Sequence, residues 1–133
     1  MTEKIYLASR YGRQEELKGY KTTLESMGYE VTSSWVDKPF VPYEDPKCGD
    51  AFKRLSAYDD WIDLRAADTL VLFTEDPLEG YGSRGGKDVE FGMALEREMD
   101  IFGVVPRTHV FSHLPEAEWF TTWEELIEAL DDR

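Results

Sequence analysis

A glutamate standing just after a glycine-rich run is the residue whose type and position most directly offer chemistry. Glu90 follows Gly80-Tyr-Gly-Ser-Arg-Gly-Gly86, and the recurrence of Val89, Met93, Ala94 and Arg97 at helical spacing predicts a helix over 87–99. In the first turn of such a helix, free backbone N–H groups and the macrodipole favour a carboxylate and keep it ionised at neutral pH. An ionised carboxylate at a binding edge can act as a nucleophile. A first-turn glutamate can equally do no more than stabilise its helix, and spacing alone leaves both readings open. Asp59 and Asp60, on the preceding helical stretch, offer a partner carboxylate. Helical arithmetic sets Asp59 nearer the apolar face and Asp60 off it, and nominates neither.

Basic residues gather around the same loops. Arg10, Arg13, Arg84 and Lys87 bring positive charge into an acidic chain, and the glycines permit close backbone approach to an anionic or polar ligand. Gly80 to Lys87 lacks both the phosphate-loop spacing and a hydroxyl residue after the lysine. The first strand-helix turn has only Gly12, so no dinucleotide fingerprint is present either. These absences argue against an NTPase or a dehydrogenase. Cys48, the single cysteine, excludes an internal disulfide and has no nearby base in Pro46-Lys-Cys-Gly-Asp50, so it reads as inert. His109 and His113 lie four apart on a strand-to-loop stretch, a spacing that does not put both rings on one face, and no metal site is expected. Glu124, Glu125, Glu128, Asp131 and Asp132 read as a solvated face.

The elements that must position these groups follow from periodicity. The chain has 133 residues, 41% hydrophobic, enough for one core and one expected domain. A net charge of −13 repels nucleic acid. No apolar run is long enough to span a bilayer and the start has no signal-peptide pattern, so a soluble cytosolic protein is expected. Lys4 to Ala8 reads as a first strand, Gln14 to Met27 as an amphipathic helix stopped by Gly28, and Tyr29 to Ser33 as a second strand. Trp35 to Gly49 carries three prolines and reads as a long loop, either a lid over a site or an ordered surface or subunit contact. A helix over 51–67 presents Phe52, Leu55, Ile62 and Ala66 on one face, and Thr69 to Thr74 reads as the central strand, covered on both sides. Ile101 to Val105 and Thr108 to Phe111 are short strand candidates. Thr122 caps a closing helix to Leu130, with Glu125 at the capping-box position. The alternation predicts an α/β fold, a doubly wound, mostly parallel sheet of four or five strands in flavodoxin-like or Rossmann-like order. Ligands of such sheets bind beyond the strand ends where strand order reverses, here the loops Ser9 to Arg13 and Glu75 to Gly86.

With those elements in place, the chain from Lys4 to about Glu98 resembles the nucleoside 2-deoxyribosyltransferase family. Three segments carry the resemblance. Lys4-Ile-Tyr-Leu-Ala-Ser9 is similar to the family's first strand with its tyrosine. Asp60, eight residues before Asp68, matches an active-site aspartate. Gly86-Lys-Asp-Val-Glu-Phe-Gly-Met-Ala-Leu95 looks like the family's helix start, in which a glutamate, one residue and a glycine precede an alanine. The resemblance implies Glu90 as nucleophile, Tyr6 as the tyrosine that positions it, and Asp60 as the acid that contacts the nucleoside. The implied reaction cleaves the N-glycosidic bond of a 2-deoxyribonucleoside, or of its 5′-monophosphate, through a covalent deoxyribosyl-Glu90, with transfer to a second base or to water. Ala8, Ser9, Arg10, Asp76, Ser83, Arg84, Gly85 and Gly86 are the substrate-binding positions it implies. Neither cofactor nor metal is implied. A homo-oligomer is implied, with Trp119, Phe120 and Trp123 as contact aromatics or as core. The loop Asp76 to Gly86 is longer than in the well-known transferases, and the family's C-terminal residues that complete a neighbouring subunit's site find no match. Two rival readings keep the fold: a non-catalytic nucleotide-binding or sensing module, and an NAD-type glycohydrolase.

Overall fold

The computed structural model describes residues 3–76, 78 and 85–133. Five strands, β1 (Lys4–Ala8), β2 (Glu30–Val31), β3 (Thr69–Phe73), β4 (Asp100–Val104) and β5 (Ala117–Phe120), form one sheet in the order β2-β1-β3-β4-β5. Every pairing is parallel, so each connection crosses over: α1 (Gln14–Ser26), α2 (Asp50–Arg65) and α3 (Gly86–Glu96) supply the first three crossovers, a 3-10 turn lies in the fourth, and α4 (Trp123–Asp131) closes the chain. The doubly wound, flavodoxin-like order expected from the alternation is what the chain adopts. Strand order reverses between β1 and β3, which are buried along their length apart from Lys4 at the start of β1.

Register shows how both sheet faces are covered. Tyr6 pairs with Leu70 and so points to the opposite side from Phe73. The Tyr6 hydroxyl reaches Glu90 on α3, whereas the Phe73 ring lies 5.2 Å from Tyr20 of α1 and 5.8 Å from Trp123 of α4. Thus α3 lies on one face, and α1 and α4 meet on the other. Local signals fix the helix ends: Gly28 takes φ +95° after α1. Thr122 Oγ1 accepts the Glu125 N–H at 3.2 Å to start α4, and the Glu125 carboxylate accepts the N–H of Thr121. Among the described residues, no helix is long and apolar enough to cross a membrane.

Several expectations need correction. The second strand shrinks from 29–33 to two paired residues. The stretch 108–111 is not a strand; a 3-10 turn at Val110–His113 occupies it, and the fifth strand is Ala117–Phe120. That strand pairs with β4, and Trp119 lies over Gly103, where a Cβ would come within 2.5 Å of the indole. Trp119, Phe120 and Trp123 are partly buried and pack against the core. Helix α3 ends at Glu96 and turns Phe91 and Ala94 inward, leaving Val89 exposed. On α2 the expected inward face is reversed: Leu64 is its buried residue, and Phe52, Leu55, Ile62 and Ala66 are exposed.

The long loop begins with a 3-10 turn, Ser34–Asp37, that buries Trp35 and Val36. The Trp35 indole N–H donates to the Leu7 carbonyl at 2.9 Å, and the Gln14 amide donates to the carbonyls of Trp35 and Lys38. These bonds moor the loop to β1 and α1.

Candidate active site

At the carboxyl end of β1, a cavity of about 560 Å³ is enclosed by the loop after β1, the start of α3, one side of α2 and the proline-rich loop. Tyr6, Asp60 and Glu90 all line it. The Tyr6 hydroxyl donates to Glu90 Oε2. Asp60 projects from α2 into the same space, whereas its neighbour Asp59 turns outward and pairs with Lys38 at 2.6 Å. The choice between the two aspartates, undecided by periodicity, is thus a matter of which side of α2 faces the cavity.

One expectation about Glu90 is overturned. It is the fifth residue of α3, beyond the first turn, and is not held ionised there. Burial pushes its carboxyl from 4.5 up to about 8; the Tyr6 hydrogen bond pulls it back in part and the nearby Asp60 carboxylate adds to the rise. Asp60 is raised to about 6, by burial first, with Lys38 opposing and Asp63 and Asp59 reinforcing. Burial first, then the Glu90 charge, raises the Tyr6 hydroxyl far above its usual range, so it stays a neutral donor. The two carboxyls therefore take up protons near neutrality as an interacting pair.

Cations cluster around Glu75, a nearly buried carboxylate at the end of β3 that sequence reading did not single out. Arg13 Nη1 lies 2.9 Å from it, Arg10 Nε 3.6 Å and Lys87 Nζ 3.8 Å. Arg13 is also committed to Glu16, with contacts of 2.9 and 2.7 Å. Arg10 and Lys87 line the cavity, as do Ser9 and Gly86. Gly85 caps α3 with φ +86°, a conformation suited to glycine. Ala8 is buried at the end of β1 and is not part of the cavity lining. Asp76 is exposed, accepts the Leu78 N–H at 2.9 Å and is not among the described residues that line the cavity. Ser83 and Arg84 lie outside the described residues.

An aromatic wall faces the carboxylates. Tyr11, Trp35, Phe40, Tyr43 and Phe52 line the cavity; the Tyr11 ring is 5.2 Å from Trp35 and 5.8 Å from Phe40, and Lys53 Nζ stands 3.8 Å over Tyr43. The signal in the sequence was the aromatic content of the proline-rich loop, which borders the site rather than serving only as surface. Cys48 is buried beside this wall. His109 faces Asp88 at 3.4 Å, outside the cavity. Among the described residues, no group of three His, Cys, Asp or Glu side chains could hold a metal ion.

Fold and site together define an α/β protein with a parallel 2-1-3-4-5 sheet and a tyrosine-bonded carboxylate at the reversal of strand order. No family model matches the sequence, and no curated protein matches it. Solved structures do share the fold. A 2-deoxyribosyltransferase from Bacillus psychrosaccharolyticus superposes with a TM-score of 0.67 at 17% identity, over 92% of this chain and 89% of that one. A CMP N-glycosidase from Clostridium botulinum gives 0.61 at 17% identity, over 98% and 100%. A conserved protein from Enterococcus faecalis V583 gives 0.64 at 14%, over 100% and 99%. The chain thus has the fold of deoxyribosyltransferase and N-glycosidase structures, as its resemblance implied.

Proposed function

We propose that this protein cleaves the N-glycosidic bond of 2-deoxyribonucleosides or their 5′-monophosphates through a covalent deoxyribosyl-Glu90 intermediate. The observation that carries this reading is the hydrogen bond from Tyr6 to Glu90 inside a cavity that Asp60 also lines. Shared fold with a 2-deoxyribosyltransferase and a CMP N-glycosidase supports the class of reaction.

Ionised Glu90 attacks C1′ while the bond from C1′ to the base nitrogen breaks, and the bonding pair leaves with the base. Asp60, its carboxyl lifted to about 6, donates the proton that neutralises the departing base. The Tyr6 hydroxyl steers one Glu90 oxygen and leaves the other for C1′. Between about pH 6 and 8 the two carboxyls share roughly one proton. Positive charge developing at C1′ favours ionised Glu90, so the shared proton is free to move toward the base as the bond breaks. Water or a second base then attacks C1′ and releases Glu90, giving hydrolysis or transfer.

The aromatic wall offers faces on which a base can stack. At the opposite end, Arg10, Lys87 and the amides of Gly85 and Gly86 accept a 5′-phosphate or hydroxyl through charge-assisted bonds. The test is to incubate the protein with each deoxynucleoside and deoxynucleoside 5′-monophosphate, with and without a free base, and follow base release or exchange by chromatography. Turnover with one of them, lost in Glu90→Gln, is expected. A thermal shift without turnover by any substrate would instead make the protein a nucleotide-binding module, and full activity in Glu90→Gln would refute the covalent step.

A further inference from the structure

Lys87 stands three residues before Glu90 on α3, and both line the cavity. Side chains three apart on a helix are neighbours, and a lysine and a glutamate so placed ordinarily attract each other. Here the ammonium is drawn to a different carboxylate. Lys87 Nζ lies 3.8 Å from Glu75 Oε1, while the groups that act on Glu90 are Tyr6 and Asp60.

Glu75 is itself fixed from several sides. Its Oε2 accepts Arg13 Nη1 at 2.9 Å, Arg13 is gripped in turn by Glu16, and the preceding Thr74 hydroxyl donates to the Val104 carbonyl at 3.1 Å. Oε1 is buried, has no hydrogen bond to a described residue, and faces Arg10 Nε at 3.6 Å as well as Lys87. That oxygen therefore acts on both cations through its charge. Arg10 has a second restraint, since its guanidinium folds over Gly12 and leaves no room there for a Cβ. Lys87, on a flexible four-carbon stem, is the cation able to swing.

We propose that Glu75 is a positioning residue: it holds the Lys87 ammonium at the β3 end of the cavity and so keeps it from pairing with Glu90. The consequence for catalysis rests on the reading of Glu90 as nucleophile. Pairing with Lys87 would hold Glu90 ionised, remove the proton it shares with Asp60 and occupy the oxygen left for C1′. Tyr6 of β1, Tyr11 of the following loop and Asp60 of α2 are the titratable groups that interact with Glu90. The cavity's other charges are Arg10, Glu44, Lys53 and Lys87, and Lys87 alone among these shares a helix face with Glu90.

The test is the titration of the Glu90 carboxyl by carbon-13 NMR, in protein labelled at its glutamate side-chain carboxyls, with the signal assigned by its loss in Glu90→Gln. In Glu75→Gln the midpoint is expected to fall by about one to three pH units, the effect of an opposite charge arriving at close range. In Glu75→Gln/Lys87→Met it is expected to return to the wild-type value. Glu75→Asp keeps the charge but withdraws it by one methylene, and is expected to lower the midpoint by less; it carries the test if circular dichroism shows Glu75→Gln unfolded. A midpoint unmoved in every folded Glu75 variant overturns the proposal, and so does a fall that persists without Lys87. The titration needs no substrate. Turnover with an unmoved Glu90 therefore removes this inference alone, whereas the expected shifts in a protein without turnover uphold the positioning by Glu75 and remove only the proposed reaction.

Discussion

Replacing Glu90 by glutamine isolates the electrostatic cost of the site. The amide retains a carbonyl oxygen to accept the Tyr6 hydroxyl, so the change removes charge and little else. In the folded protein the Glu90 carboxyl is raised from 4.5 to about 8, chiefly by burial. Below pH 4.5 it is protonated in folded and unfolded chains alike and costs nothing. Between 4.5 and 8 the unfolded chain loses this proton while the folded one keeps it. The native state then binds more protons, so stability falls as pH rises, by about 1.4 kcal/mol per pH unit. Above about 8 both states are ionised and the full cost stands, up to about 5 kcal/mol. Asp60 titrates in both proteins and largely cancels in the comparison. Urea unfolding followed by tryptophan fluorescence from pH 5 to 9 should show Glu90→Gln gaining on wild type by about 3 kcal/mol between pH 5.5 and 7.5. A difference that does not change with pH would mean that Glu90 is ionised throughout, and the reasoning from burial would be wrong.

Other expectations follow from named contacts. Tyr6→Phe removes the one hydrogen bond that lowers the Glu90 carboxyl; kcat for base release should fall about 10- to 100-fold, the worth of a charge-assisted bond, and the alkaline shift of its rising pH limb should be measurable. Arg10→Ala should raise KM for a deoxynucleoside 5′-monophosphate by about tenfold or more while leaving the free nucleoside nearly unaffected, as read from initial rates on the two substrates. Gly103→Ala would drive a methyl to 2.5 Å from the Trp119 ring and should cost about 1–3 kcal/mol of stability in a denaturant titration.

Periodicity and end signals alone determined β1, α1, β3 and α4, because each carries its own pattern and its own stop: Gly28 ends α1 in a left-handed turn and Thr122 caps α4. The alternation of elements was enough to expect the parallel sheet and, with it, the loops where a site belongs. Resemblance of the three short segments nominated Tyr6, Asp60 and Glu90. Four matters were decided only in three dimensions. β5 exists through its pairing with β4 and the fit of Trp119 over Gly103, which no local pattern records. Periodicity found the apolar face of α2 but not its surroundings, and the stripe expected inside lies outside. The aromatic wall depends on the mooring of the proline-rich loop to β1 and α1. The protonation of Glu90 was expected from its helix and is reversed by its cavity. A helix dipole acts within one turn, whereas desolvation comes from segments brought together from across the chain, Tyr6 and Glu90 being 84 positions apart.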